Sequence, residues 1–165
     1  ISLGLVGSEM CIRDRVRGEA EFCSENKNRF LLKREWSKSK KKVLYIMFNP
    51  SNANESKDDP TIRRLINFSK KFNYGGFFVG NLYTNISSNP KNIDQSQNIS
   101  KKNLKILVKL INTVSDVVYA WGNSTDEPNF LKKLVDSPMC LGKNKDGSPK
   151  HPLYIPSNSK LLKFR

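Results

Sequence analysis

Val43-Leu44-Tyr45-Ile46-Met47-Phe48 is a continuous apolar block that stops abruptly at Asn49-Pro50-Ser51. Six apolar residues without alternation, opening on a β-branched one, describe a strand buried on both faces, as in a parallel sheet. An Asn-Pro pair immediately after such a strand ends it and begins a loop. Everything on either side reads outward from this block.

Upstream, Phe30-Leu31-Leu32-Lys33-Arg34-Glu35-Trp36 has the look of an edge strand, closed by the solvated run 37–42. Downstream, Asp59-Pro60 supplies an N-cap followed by proline at the first helical position. Ile62, Leu65, Ile66 and Ser69 come next at helical spacing, and Asn73-Tyr74-Gly75-Gly76 stops the helix. A second apolar block, Phe77-Phe78-Val79-Gly80, runs into Asn81-Leu82-Tyr83. Ser100 then caps a helix with Leu104, Leu107, Val108 and Ile111 on one face and four lysines on the solvated side. Asp116-Val117-Val118-Tyr119-Ala120 is a third strand, ended by Trp121-Gly122. Thr125 or Asp126 opens another helix with Phe130, Leu131, Leu134 and Val135 inward, and a short strand around 139–141 leads to a turn at 143–150 and then His151-Pro152-Leu153-Tyr154. Strands alternating with helices predict right-handed crossovers and a short, mainly parallel sheet with helices on both faces, a three-layer α/β/α sandwich. Residues 16–165 read as one such domain.

Ile1–Arg15 bears no relation to the rest of the chain and looks like a translated cloning or adaptor scar; a signal peptide is the competing reading, and its apolar run is too short. No apolar run approaches the roughly 18 residues that cross a bilayer. The net charge of +14 favours phosphate-bearing partners, although only eight of the 29 basic residues are arginine, the better phosphate clamp. Three cysteines without a CxxC pair, and one histidine, argue against a zinc site and for a reducing cytoplasm. The expectation is a cytoplasmic monomer that binds nucleic acid or a nucleotide, without cofactor or metal.

In open α/β sheets, ligands sit beyond the carboxyl ends of the strands. The unusual residues cluster at those ends: Asn49, Pro50 and Ser51, then Asn81 and Tyr83, then Trp121 and Gly122, and last His151, Pro152 and Tyr154. Each has a bland reading as a turn, a cap or core; their common edge makes them candidates. Asp58, Asp59 and Thr61 form a second group. Asp59 reads first as the helix cap and Asp58 as a charge favouring the helix's positive end. A divalent cation would need more oxygen ligands than this pair supplies. Lys150, beside His151, is placed to meet a phosphate.

The combination of NPS, DDPT, NL, AWG and HPLY across about residues 20–156 resembles the microbial family called domain of unknown function 1643. More distantly, the layout resembles the uracil-DNA glycosylase superfamily. That likeness implies an α/β/α sandwich in which an Asn-Pro after the first strand positions the attacking water, as Asn49-Pro50 would. It further implies that an Asn closing another early strand reads the base, the place of Asn81, and that a late His-Pro steadies the departing base, as His151-Pro152 would. Ser51 stands where that superfamily has glycine, Leu153-Tyr154 replaces small residues, and the 58–61 motif is extra. The chemistry is coherent. N-glycosidic cleavage develops an anionic base, which a neutral donor stabilises, and Phe48, Tyr83 and Trp121 offer rings for stacking. The leading expectation is thus a nucleobase-recognising protein, cleaving an N-glycosidic bond in DNA or a nucleotide. The rivals are a non-catalytic nucleic-acid or nucleotide-binding module and a hydrolase of a small metabolite.

Overall fold

In the computed structural model, which describes residues 16–22, 27–95 and 99–165, the chain runs through β1 (Arg17–Phe22), β2 (Arg29–Glu35), β3 (Lys42–Met47), α1 (Pro60–Lys71), β4 (Gly76–Asn81), α2 (Lys101–Thr113), β5 (Asp116–Tyr119), α3 (Asn129–Leu134), β6 (Met139–Cys140) and β7 (Leu162–Lys163). The suspected scar at Ile1–Arg15, like Cys23, lies outside the described residues. Among the described residues no helix is long and apolar enough to cross a membrane.

All seven strands form one sheet in the order β1-β2-β4-β3-β5-β6-β7. The centre, β4-β3-β5-β6, is parallel, and the β1-β2, β2-β4 and β6-β7 pairings are antiparallel. The sheet is therefore mixed rather than mainly parallel. The correction lies at its margins, where short polar strands carry too little apolar pattern to be read. β1 is the clearest case. Its RGEAEF sequence alternates exposed and half-exposed positions, and it is pinned to β2 partly by Lys33 and Glu19 at 3.2 Å. β2 therefore lies between β1 and β4 and is no edge strand. The polar β1 covers its ladder, a usual way to blunt a sheet edge.

The β3 block packs on both faces, as its unbroken apolar run requires. Val43, Tyr45 and Met47 join Phe77, Val79 and Val118 under Ile62, Leu65 and Phe68 of α1. Leu44 and Ile46 face the other way, with Val117, Tyr119, Leu110 of α2 and Leu131 of α3. On that face Gly80 lets α2 approach, since a Cβ there would stand 2.5 Å from Cδ2 of Leu107. The buried residues of α2 are Asn103, Leu107 and Leu110; of the expected stripe Leu104, Leu107, Val108 and Ile111, Leu107 is buried and the other three are half-buried. α3 starts at Asn129, later than Thr125 or Asp126, and it leaves Leu134 exposed.

α1 begins as its sequence dictates. Asp59 accepts the Ile62 N–H at 2.8 Å, and Pro60 occupies the first helical position. It ends at Lys71, and Asn73, two residues on, takes the left-handed conformation (φ 62°) common just past helix C-termini. The chain leaves β3 for β4 on one side and reaches β5 on the other. The order of connection thus reverses between β3 and β5, where ligand crevices form in such sheets.

Candidate functional site

At the carboxyl ends of β3, β4 and β5 the loops enclose a cavity of about 460 Å³, lined by Asn49, Asn81, Trp121, Gly122 and His151 among others. That volume falls in the roughly 300–1,000 Å³ range of small-molecule sites. Asn49 follows β3 directly. Its Nδ2 donates to the carbonyls of Ser87 at 2.7 Å and Pro50 at 3.1 Å, which fixes the amide orientation. The Oδ1 is then the end left to accept a hydrogen bond.

Asn81 closes β4 and is fully buried, yet neither Nδ2 nor Oδ1 finds a protein partner. Buried polar groups are nearly always paired, and an orphaned pair on one side chain calls for an explanation. Its backbone is held firmly, since Nδ2 of Asn103 donates to the Asn81 carbonyl at 2.8 Å. The side chain therefore presents one donor and one acceptor from a rigid mount at the cavity wall.

His151 arrives on a turn made by Asp146, Gly147 and Ser148. Ser148 N–H bonds Oδ1 of Asp146 at 2.9 Å, Gly147 has φ 85°, and the Lys150 N–H meets the Gly142 carbonyl at 2.8 Å. The next loop is strapped to α1 by Arg64, whose guanidinium donates to the carbonyls of Pro152 and Ile155 and to the Ser157 hydroxyl. The imidazole Nδ1 accepts the Leu153 N–H at 3.3 Å, so in the neutral ring the proton sits on Nε2. Burial lowers the His151 pKa below the ordinary imidazole value, and the nearby Asp59 carboxylate opposes this. His151 is thus a neutral Nε2–H donor at pH 7, suited to stabilise charge that grows on a departing group.

Ser51, Asp59 and Thr61 line the same cavity. Both oxygens of Asp59 accept a hydrogen bond: Oδ1 caps α1 and Oδ2 accepts the Ser51 hydroxyl. Gly122 has φ 78°, a conformation that glycine adopts without strain, and this turns the chain after Trp121 past His151. The Trp121 indole is buried among Tyr119 and Phe164, with Nε1 tied to the Thr125 carbonyl at 3.0 Å. Tyr154 stands at the mouth, 80% exposed, with its ring 5.8 Å from that of His151.

Other candidates lie elsewhere. Tyr83 lines a separate, smaller cavity and packs on Phe48 with ring centroids 5.1 Å apart, because the alternation of β4 ends at Asn81. Asp58 pairs with Arg34 at 2.7 Å. Pro50 and Pro152 are buried behind the cavity wall, and Lys150 does not line it. Three residues that sequence reasoning did not single out shape the site. They are Arg29, which lines the cavity while only 2% exposed, Asn103 and Arg64. An arginine at the start of an amphipathic strand and an asparagine within a lysine-rich helix carry no signal that separates them from solvated positions. Among the described residues no three His, Cys, Asp or Glu side chains group as metal ligands.

Fold and site together define an α/β protein with a largely apolar cavity, carrying a few convergent polar side chains, at the switch point of its central parallel strands. The chain belongs to the family described as Protein of unknown function (DUF1643), whose match spans residues 29–153. No curated protein and no solved structure matches it.

Proposed function

We propose that the cavity recognises a nucleobase and that Asn49 and His151 use it to hydrolyse an N-glycosidic bond. The observation that carries this reading is Asn81: a buried amide, unpaired at both ends, on the wall of a cavity of base-compatible size. A base edge offers the matching acceptor and donor, and a site built to pair a polar edge discriminates strongly against ligands lacking it. The helices on the two sheet faces support a three-layer sandwich of the uracil-DNA glycosylase kind, and a cytoplasmic monomer is the setting assumed.

In the reaction, Oδ1 of Asn49 holds a water in line with the sugar C1′. The water oxygen bonds to C1′ as the C1′–N bond breaks, and the electron pair leaves on the base nitrogen. Nε2–H of His151 donates a hydrogen bond to the base oxygen that carries the developing charge, while the water's proton passes to solvent. Asn49 cannot itself take that proton. The Asp59 carboxylate already accepts from Ser51 and Ile62, and with no base assigned to the water the second reading is a cavity that binds and does not cleave.

The test is release of free base, measured by chromatography, from nucleosides, nucleotides and oligonucleotides carrying uracil, hypoxanthine and the common bases. Cleavage by the wild type that falls about 100–1,000-fold in His151→Ala, the usual cost of one such donor, supports the enzyme. Binding without any cleavage moves the site to the second reading, and loss of all binding specificity for bases removes both.

A further inference from the structure

Arg29 opens β2 and lines the cavity, and it is almost wholly enclosed at 2% exposure. Nη1 donates to the Ala53 carbonyl, the buried Nε has no partner, and no carboxylate lies within ion-pair distance of it among the described residues. The Asp59 carboxylate acts on it through space, raising its pKa, and makes no ion pair with it. Burial pulls the Arg29 pKa down to about 10, so the guanidinium stays charged at neutral pH. A buried, unpaired guanidinium is costly to the folded protein. Its planar fork of donors matches the paired oxygens of a phosphate or a carboxylate, and of the two a phosphate is the anion that a nucleobase ligand carries.

Among the described residues, the same cavity therefore shows two unmet demands, a cation without an anion at Arg29 and an amide without a partner at Asn81. A nucleoside has a base edge and no anion. A base flipped from a strand keeps its phosphates on the chain outside, beyond the reach of an enclosed Arg29. We infer that the ligand is a free nucleotide whose phosphate is held by Arg29. This inference rests on the nucleobase reading for the part played by Asn81.

Isothermal titration at neutral pH decides it, using the common nucleosides, their 5′-monophosphates, inorganic phosphate and a single-stranded oligonucleotide. A monophosphate should bind at least tenfold more tightly than its nucleoside, and Arg29→Met should close that gap. Asn81→Leu should weaken nucleosides and nucleotides alike. Should Arg29→Met unfold, Arg29→Lys keeps the charge without the fork and should narrow the gap. Equal affinity for nucleoside and monophosphate, or a gap that survives both substitutions, overturns the inference and leaves the nucleobase reading intact. Oligonucleotide binding that ignores Arg29, with no mononucleotide binding, overturns it in favour of a polymer. Phosphate binding that depends on Arg29, with no contribution from any base, keeps Arg29 as the anion site and sinks the nucleobase reading. Silence across the whole panel sinks both.

Discussion

Asn103 reaches from α2 to β4 and donates through Nδ2 to the main-chain carbonyl of Asn81 at 2.8 Å, both residues being buried. One asparagine thus clamps the backbone of another whose own side chain is unpaired. Asn103→Ala orphans that buried carbonyl, together with the longer contact to Leu82 at 3.4 Å. The expected loss is about 1–3 kcal/mol, read as a lower urea midpoint at unchanged slope, with weaker ligand binding because the Asn81 mount loosens. An unchanged midpoint would show that water replaces the clamp.

Asn81→Leu should do the opposite to the ligand-free protein. The wild-type amide is buried with neither end paired to protein, and an apolar residue of similar size removes that desolvation cost, about 1–3 kcal/mol for an unsatisfied group. A gain of about 1 kcal/mol raises Tm by about 2–4 °C in a chain of this size. Scanning fluorimetry should therefore show a more stable and ligand-blind protein. A lower Tm would mean that Asn81 is structural.

The pH dependence stems from His151, the single histidine of the chain. Burial holds its folded pKa below the ordinary value, so as pH falls the unfolded chain takes up the proton first, near pH 6.5. The associated stability is complete above about 6.5 and is lost as pH drops through the lowered folded value. Because no other imidazole contributes, its ring proton signals report the titration directly. A folded pKa at or above about 6.5 would contradict the assigned neutral donor.

Asp59 serves α1 and His151 at once, and two substitutions separate the roles. Asp59→Ala removes the cap accepting from Ile62 and the partner of Ser51, costing about 0.5–2 kcal/mol. Asp59→Asn keeps a capping oxygen and should retain most of that stability. Both remove the charge that raises the His151 pKa, so both should move its titration lower. A His151 titration that stays in place in Asp59→Asn would show the coupling to be negligible.

Arg64 bonds the carbonyls of Pro152 and Ile155, so Arg64→Ala should release the loop that carries His151 from α1. Faster amide exchange at 153–157, with the β3 amides unchanged, is the expected signature. Uniform exchange would place the loop's anchor elsewhere.

Local chemistry determined much of this protein from sequence alone. The 43–48 block had to be a strand buried on both faces, and Asp59-Pro60 and Ser100 had to start helices. The residues after the apolar blocks had to meet at one sheet edge, since parallel strands put their carboxyl ends together. Those statements depend on neighbours in the chain. What depends on partners far along it was decided only by the tertiary structure. β1 is a strand because β2 offers it a ladder; its alternation sets only Ala20 and Phe22 against three charged residues, too little apolar pattern to mark a strand unaided. Tyr83 turns away from the cavity because β4 ends two residues earlier. Arg29 is buried only because the loop at Ala53, whose carbonyl it meets, and the start of α1 close over it. A charged residue in a short strand reads as solvated until the chain that covers it is in place, and burial, unlike propensity, is a property of the whole fold.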